Sequence, residues 1–188
     1  MRDARALYFS RSGLADGGYD ASWVKLQAGA IPLYFPNTGA RVRSVRLHDI
    51  HHVLTNYDTT WTGEAEIGAW EIASGCARHY AAWILNLQAM AIGIVIAPRA
   101  TLRAFARGRE SRNLYTGEFR DELLATRVGS LRHALGLDRP PPAPATRDVA
   151  PFALWVSVGL LSSLLGLLAG LTLIAGLGWL VWRALPWP

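Results

Sequence analysis

Residues 149–182 read VAPFALWVSVGLLSSLLGLLAGLTLIAGLGWLVW, and the stretch contains no charged residue although both flanks carry charge. The apolar run from Phe152 to Trp182 exceeds the roughly 20 residues a helix needs to cross a hydrocarbon core of about 30 Å. One tilted transmembrane span is expected. Gly159, Gly166, Gly170, Gly176 and Gly178 could host a bend, but no polar turn interrupts the run, so a hairpin is the weaker alternative. Arg127, Arg132, Arg139 and Arg147 precede the run and Arg183 alone follows it, which orients the body toward the cytoplasm. Trp155 at one end, and Trp179, Trp182 and Trp187 at the other, read as interfacial anchors. Gly166 and Gly170 form a GxxxG spacing that would let two copies of the helix pack as a homodimer.

Immediately upstream, residues 139–148 (RPPPAPATRD) form a Pro-rich linker, because consecutive prolines exclude helix and favour polyproline II. Before it, Phe119, Leu123, Leu124, Val128, Leu131 and Leu135 recur at helical spacing, and Gly136 stands at the expected stop. The apolar segment 80–97 ends at Pro98 and contains Asn86 and Gln88, amides that would need partners in lipid, so it is expected as a helix buried in the body or lining a lipid cavity. After it, Arg99, Arg103 and Arg107 fall on one helix face and suit anionic lipid head groups or a phosphorylated ligand. Residues 31–45, with Pro32, Pro36 and Gly39, read as an irregular approach segment. The expected fold is mainly α: a helical bundle-like body over 1–138, the linker over 139–148 and a transmembrane anchor over 149–185.

A chain of 188 residues, 51% of them hydrophobic, has room for one modest domain and an accessory element. The net charge of +5 does not indicate nucleic acid, because no helix-turn-helix, zinc-finger or RNA-recognition signature is present and aromatics are not interleaved with the basic residues. Among 19 basic residues only Lys25 is a lysine, which suggests a GC-rich bacterial genome and, with the anchor, a bacterial inner membrane. Cys76 stands alone, so no disulfide framework or cysteine zinc cluster is expected. The N-terminal MRDARALYFSRSG lacks the continuous apolar core of a secretory signal.

The chemistry concentrates in LHDIHHVL, residues 47–54. On a helix His48 and His52 lie one turn apart on one face, with Asp49 about 100° round, so two imidazoles and a carboxylate can approach one ion. Glu64 lies beyond Asn56-Tyr57-Asp58, a turn that would fold a second helix back to present it, and Glu71 shares its face two turns on. Such a donor set suits Zn, Fe(II) or Mn without choosing among them. His51 points to another flank; it and Asp58 are candidates for proton transfer that nothing in the sequence selects. HExxH, GxSxG, P-loop and GxGxxG motifs are absent. An HD pair also forms the core of metal-dependent phosphohydrolases, but their further His and Asp ligands are not found at suitable spacings.

At these residues the chain resembles the Coq-four family of coenzyme Q (ubiquinone) biosynthesis proteins, whose hallmark is HDxxH followed by eleven residues and Glu. That pattern falls on His48, Asp49, His52 and Glu64 with its spacing intact, within HDIHHVLTNYDTTWTGE, including Gly63 before the glutamate. Gly108-Arg109, Asn113-Leu114-Tyr115 and a helix ending Leu135-Gly136-Leu137 are similar to the family's C-terminal part, so the resemblance covers roughly residues 25–137. It implies a helical fold, a divalent metal, zinc in the family, at those four positions, and binding of a polyprenylated lipid or quinone intermediate beside other quinone-biosynthesis proteins. It further implies either an enzyme that removes the C1 carboxylate of a prenylated benzoate and hydroxylates that carbon, or a non-catalytic lipid-binding scaffold. Asn56 stands where the family often has glycine, the region before the motif is short, and the C-terminal span is an addition.

Overall fold

The computed structural model describes residues 1–13, 17–28 and 31–185, and over these the chain is mainly helical. Eight helices occur among the described residues: α1 (Arg2–Ser12), α2 (Gly39–Thr55), α3 (Trp61–Ser74), α4 (Tyr80–Ile96), α5 (Pro98–Arg109), α6 (Asp121–Ala125), α7 (Val128–Leu135) and α8 (Thr146–Ala184). Two antiparallel strands, β1 (Trp23–Ala28) and β2 (Ile31–Pro36), pair from Trp23↔Pro36 to Ala28↔Ile31. The approach segment expected to be irregular is therefore a strand followed by the start of α2. Pro32 and Pro36 are tolerated because each strand of a two-stranded sheet is an edge, where a missing N–H costs no ladder bond on its open side.

α3 is the central helix, packed by α4 on one side and α5 on another. Leu47, Ile50 and Leu54 from α2 join Ile67, Trp70 and Ile72 from α3, Met90 from α4 and Phe105 from α5 in one core. Each such side chain contributes about 1.5–3 kcal/mol by leaving water. Small residues let the backbones close: Gly108 lies against the Trp70 carbonyl, where a Cβ would overlap it. The C-terminal end of α2 is fixed by Arg132 of α7, which donates to Leu54 O and Val53 O, both at 2.9 Å, and to Asn56 Oδ1 at 2.6 Å. These bonds satisfy carbonyls that the helix leaves unpaired.

The single helix expected over 119–135 is two. Thr126 and Arg127 are extended, which breaks it into α6 and α7, while Gly136 takes the left-handed conformation expected of a helix stop.

α4 is buried on one side only. Asn86, Leu87 and Met90 face the body, whereas Tyr80, Ile84, Ile92, Val95 and Ile96 are exposed. Both amides have partners: Asn86 donates to Glu71, and Gln88 bonds Ser162 and Ser163 of α8 at 2.9 and 2.5 Å.

α8 begins inside the stretch expected as linker, so Thr146, Arg147 and Asp148 are helical. Pro151 cannot donate to the Arg147 carbonyl, and Arg109 Nη1 does so instead at 2.6 Å while pairing with Asp148 Oδ1. Asp148 Oδ2 also accepts from Ala145 N at 2.8 Å, a carboxylate placed favourably in the first turn. At 39 residues α8 is long and apolar enough to cross a membrane, and among the described residues no other helix is. Trp179 and Trp182 lie toward its C-terminal end; Trp187 lies outside the described residues.

Candidate metal centre

The turn between α2 and α3 sets the geometry of the site. Asn56 adopts φ 63°, a left-handed conformation that asparagine tolerates, and closes α2. Asp58 Oδ1 then accepts from Thr60 N and Thr60 Oγ1, and Thr60 Oγ1 caps α3 by accepting from Gly63 N at 3.1 Å. A side chain at position 63 would collide with the Asp58 carbonyl and carboxylate, so glycine is required there by close approach. Glu64 follows in the first turn of α3 and faces back toward α2.

His48, His52 and Glu64 converge, with one ligand atom from each lying within 4.8 Å of the others. The Nε2 atoms of His48 and His52 are 3.1 Å apart, and Glu64 Oε2 and Oε1 stand 3.5 and 3.4 Å from them respectively. Each imidazole is oriented through its other nitrogen. His52 Nδ1 lies 3.0 Å from the Tyr57 carbonyl, which can only accept, so Nδ1 carries the hydrogen. His48 Nδ1 lies 3.0 Å from Glu71 Oε1 and donates to that carboxylate. Both Nε2 atoms are thereby directed into the space they share with Glu64. Two nitrogens on one tetrahedral ion at about 2.0–2.1 Å are roughly 3.3 Å apart, so the separation suits a common ion. Fixing the tautomer by an outer hydrogen bond is the usual support of a histidine ligand.

Glu71 is completely buried and is held by His48, His51, Asn86 and Tyr115, whose hydroxyl donates at 2.9 Å. Burial alone would raise its pKa, but the adjoining His48 and His51 outweigh burial and hold the carboxyl well below the usual range. Burial likewise opposes charge on His48, yet Glu71 and Glu64 lift its pKa well above the ordinary imidazole value. Glu64 is held low by the two histidines against its own burial. His51 does not enter the site: its Nδ1 is 2.5 Å from Glu71 and its Nε2 accepts from Leu114 N at 3.0 Å. That acceptor role requires the neutral ring, and burial lowers its pKa accordingly. Asp58 is occupied with Thr60. Neither candidate for proton transfer faces the three ligands.

Asp49 is placed beside the group rather than within it. Its Oδ2 accepts from Tyr19 at 2.5 Å, and burial raises its pKa. Tyr8 of α1 stacks on His52 with centroids 5.2 Å apart, so α1 and the segment before β1 cover the site. Burial first, and then Asp49, raises the pKa of both Tyr8 and Tyr19, which remain phenols. These tyrosines had no spacing signal in the sequence, because they reach the site from distant segments. Tyr115 could be found only through the Asn113-Leu114-Tyr115 resemblance.

The three arginines of α5 are not equivalent. Arg99 and Arg103 are exposed, whereas Arg107 Nη1 donates to Thr55 O at 2.9 Å and lies over the Tyr57 ring. Arg107 therefore serves the α2–α3 turn rather than a free cationic face.

No family model matches the chain, and no curated protein or solved structure matches it.

Proposed function

We propose that the chain is a metal-dependent protein of quinone biosynthesis, anchored in a bacterial inner membrane with its body on the cytoplasmic side, that acts on a polyprenylated benzoate or phenol. The observation that carries this reading is the pair of imidazole Nε2 atoms, 3.1 Å apart with Glu64 beside them, each ring locked through Nδ1. The HDxxH pattern with its distant glutamate supports the family assignment, and the long apolar α8 supports a membrane-borne substrate.

His48, His52 and Glu64 would hold the ion, with Asp49 adjoining as a second carboxylate. Two imidazoles and a carboxylate suit both catalytic zinc and non-haem iron(II), and the bound ion would supply a Lewis acid or a site for oxygen chemistry. The chain's own residues do the rest. Glu71 and the Tyr57 carbonyl orient the ligands, Tyr8 covers His52, and Tyr19 holds Asp49 as its hydrogen-bond acceptor. The rival reading, a scaffold with a structural metal that presents prenylated intermediates to partner enzymes, draws on the depth at which Glu71 is buried.

Replacing the chain in its host by Glu64→Ala separates the two. The catalytic reading expects a folded variant that retains prenylated lipid while cells accumulate a carboxylated prenyl-phenol precursor. The scaffold reading expects thermal stability and lipid retention to fall together. A folded variant that keeps its lipid and leaves quinone levels unchanged would contradict both.

A further inference from the structure

We propose that the corner between α4 and α5 is a second membrane contact, seated in the interfacial layer of the bilayer that α8 crosses. The proposal rests on reading α8 as a span. α4 and α8 run in the same direction: Trp83 stacks on Trp155 at 5.1 Å, Leu87 meets Gly159, and Gln88 bonds Ser162 and Ser163. The burial of α8 ends there. From Leu164 to Ala184 every residue except the half-buried Gly170 is exposed.

That unpacked part is about 21 residues, or about 31 Å at 1.5 Å per residue, close to a hydrocarbon thickness of about 30 Å. The packed part of α8 need not enter lipid, so the hydrocarbon boundary falls near Ser163. Gln88 lies at that depth, and α4 continues for about two further turns in the same direction. Those turns carry Ile92, Val95 and Ile96, all exposed, Val95 at 79%. In water they would be an apolar tip; lying about 6–12 Å beyond Gln88 along α4, they would dip through the interface into the outer edge of the hydrocarbon.

Pro98 then starts α5 and turns the chain back toward the body, where Phe105 packs on Phe152 and Arg109 pairs with Asp148. Arg99, exposed at the corner, can keep its charge at the phosphates while its stem lies along the apolar layer. No acidic residue occurs between Glu71 and Glu110, so the whole α4–α5 hairpin lacks a charge that anionic lipid would repel. The corner enters and leaves on one side, as an interfacial element does. It also brings the metal centre close to lipid, because Gly93 in α4 closes on Ala65, the neighbour of Glu64.

The test uses full-length protein reconstituted in phosphatidylcholine–phosphatidylglycerol vesicles, with an environment-sensitive fluorophore on one added cysteine: Val95→Cys, Leu173→Cys or Asp121→Cys. Native Cys76 is buried, and the unmodified chain gives the labelling background. Leu173→Cys should be quenched by a nitroxide near the acyl-chain ends and Asp121→Cys only by aqueous iodide. Val95→Cys should be quenched by a nitroxide near the head group at least about two-fold more than by iodide. Quenching of Val95→Cys by iodide alone, with Leu173→Cys still responding to lipid, would overturn the corner contact and leave the span intact. Protection of Val95→Cys from both quenchers would mean that protein, such as a second copy, covers it, and would overturn the proposal too. Failure of Leu173→Cys to respond to any lipid nitroxide would remove the span, and the corner with it.

Discussion

Glu71 is the residue on which the site's order depends. Four side chains converge on its carboxylate with no water-exposed surface, so its charge is tolerated only while the donors around it stay in place. Glu71→Gln presents an amide to His48 and His51 where they need an acceptor. It should lower stability by about 3–5 kcal/mol, the usual result of breaking a buried pair, read as a fall of roughly 10 °C in Tm. It should also weaken metal affinity about 10–100-fold while saturating metal still fills the site, as measured by competition with a chelating dye. The pH dependence follows from the same groups. Glu71 has a depressed pKa in the folded chain, so its contribution is complete above about pH 4.5 and is lost as pH falls further. His48 has a raised one, so its contribution is complete below about pH 6.5 and is lost as pH rises through the folded value. His51, whose pKa burial lowers, gains stability as pH rises toward about 6.5, so calorimetry of the metal-free protein should show greatest stability toward the upper end of that window, near about pH 6.5. A Tm that keeps rising above that window would contradict the assignment of His48. The sequence revealed that Glu71 shares a face with Glu64, because that is helical periodicity; it did not reveal the partners, which come from α2, α4 and the segment after α5.

Elements were legible where the information was local. The i, i+4 spacing of His48 and His52, the Asn56 turn and the return of Glu64 all depend on short stretches, and the structure places them together. Asp49 differs. Its position 100° round the helix was legible, but Tyr19, thirty residues earlier in the chain, decides what its carboxylate does. The break at Thr126 was likewise hidden, because apolar spacing continues across it while the backbone extends. Two glycines give tests at this scale. Gly63→Ala puts a Cβ into Asp58 and should displace the first turn of α3, costing about 1–3 kcal/mol and reducing metal affinity through Glu64. Gly159→Val would crowd the Leu87 carbonyl, 2.8 Å from the added Cβ, and should part α8 from α4 with a similar loss of stability. Gly166→Ala meets open space and should leave stability within about 0.5 kcal/mol of the parent. Equal effects at positions 159 and 166 would mean that α8 does not pack on α4.

At the scale of the whole molecule, α8 does two jobs along its length. Its first half covers α4 and α5 through Phe152, Trp155 and Gly159, and its second half is exposed apart from the half-buried Gly170. The sequence showed one apolar run and could not show where packing against the body gives way to exposed apolar surface, since the residues are apolar on both sides of that point. Truncation after Ser163 should leave a folded body that no longer requires detergent, whereas truncation after Asp148 should expose the α4 face and cause aggregation. Light scattering and circular dichroism of the two products would decide; equal solubility would mean that the first half of α8 is not part of the body. On the proposed reading the molecule would be a metal centre held beside a membrane, and the metal is the part of that reading most open to measurement. The direct measurement is metal content of the full-length chain by mass spectrometry, beside His52→Ala, Glu64→Ala and, as an exposed control, His133→Ala. The account predicts about one divalent ion per chain in the parent and in His133→Ala, and loss of that ion in the other two with helical content unchanged. Metal retained at the parent level in a folded His52→Ala or Glu64→Ala protein would contradict it.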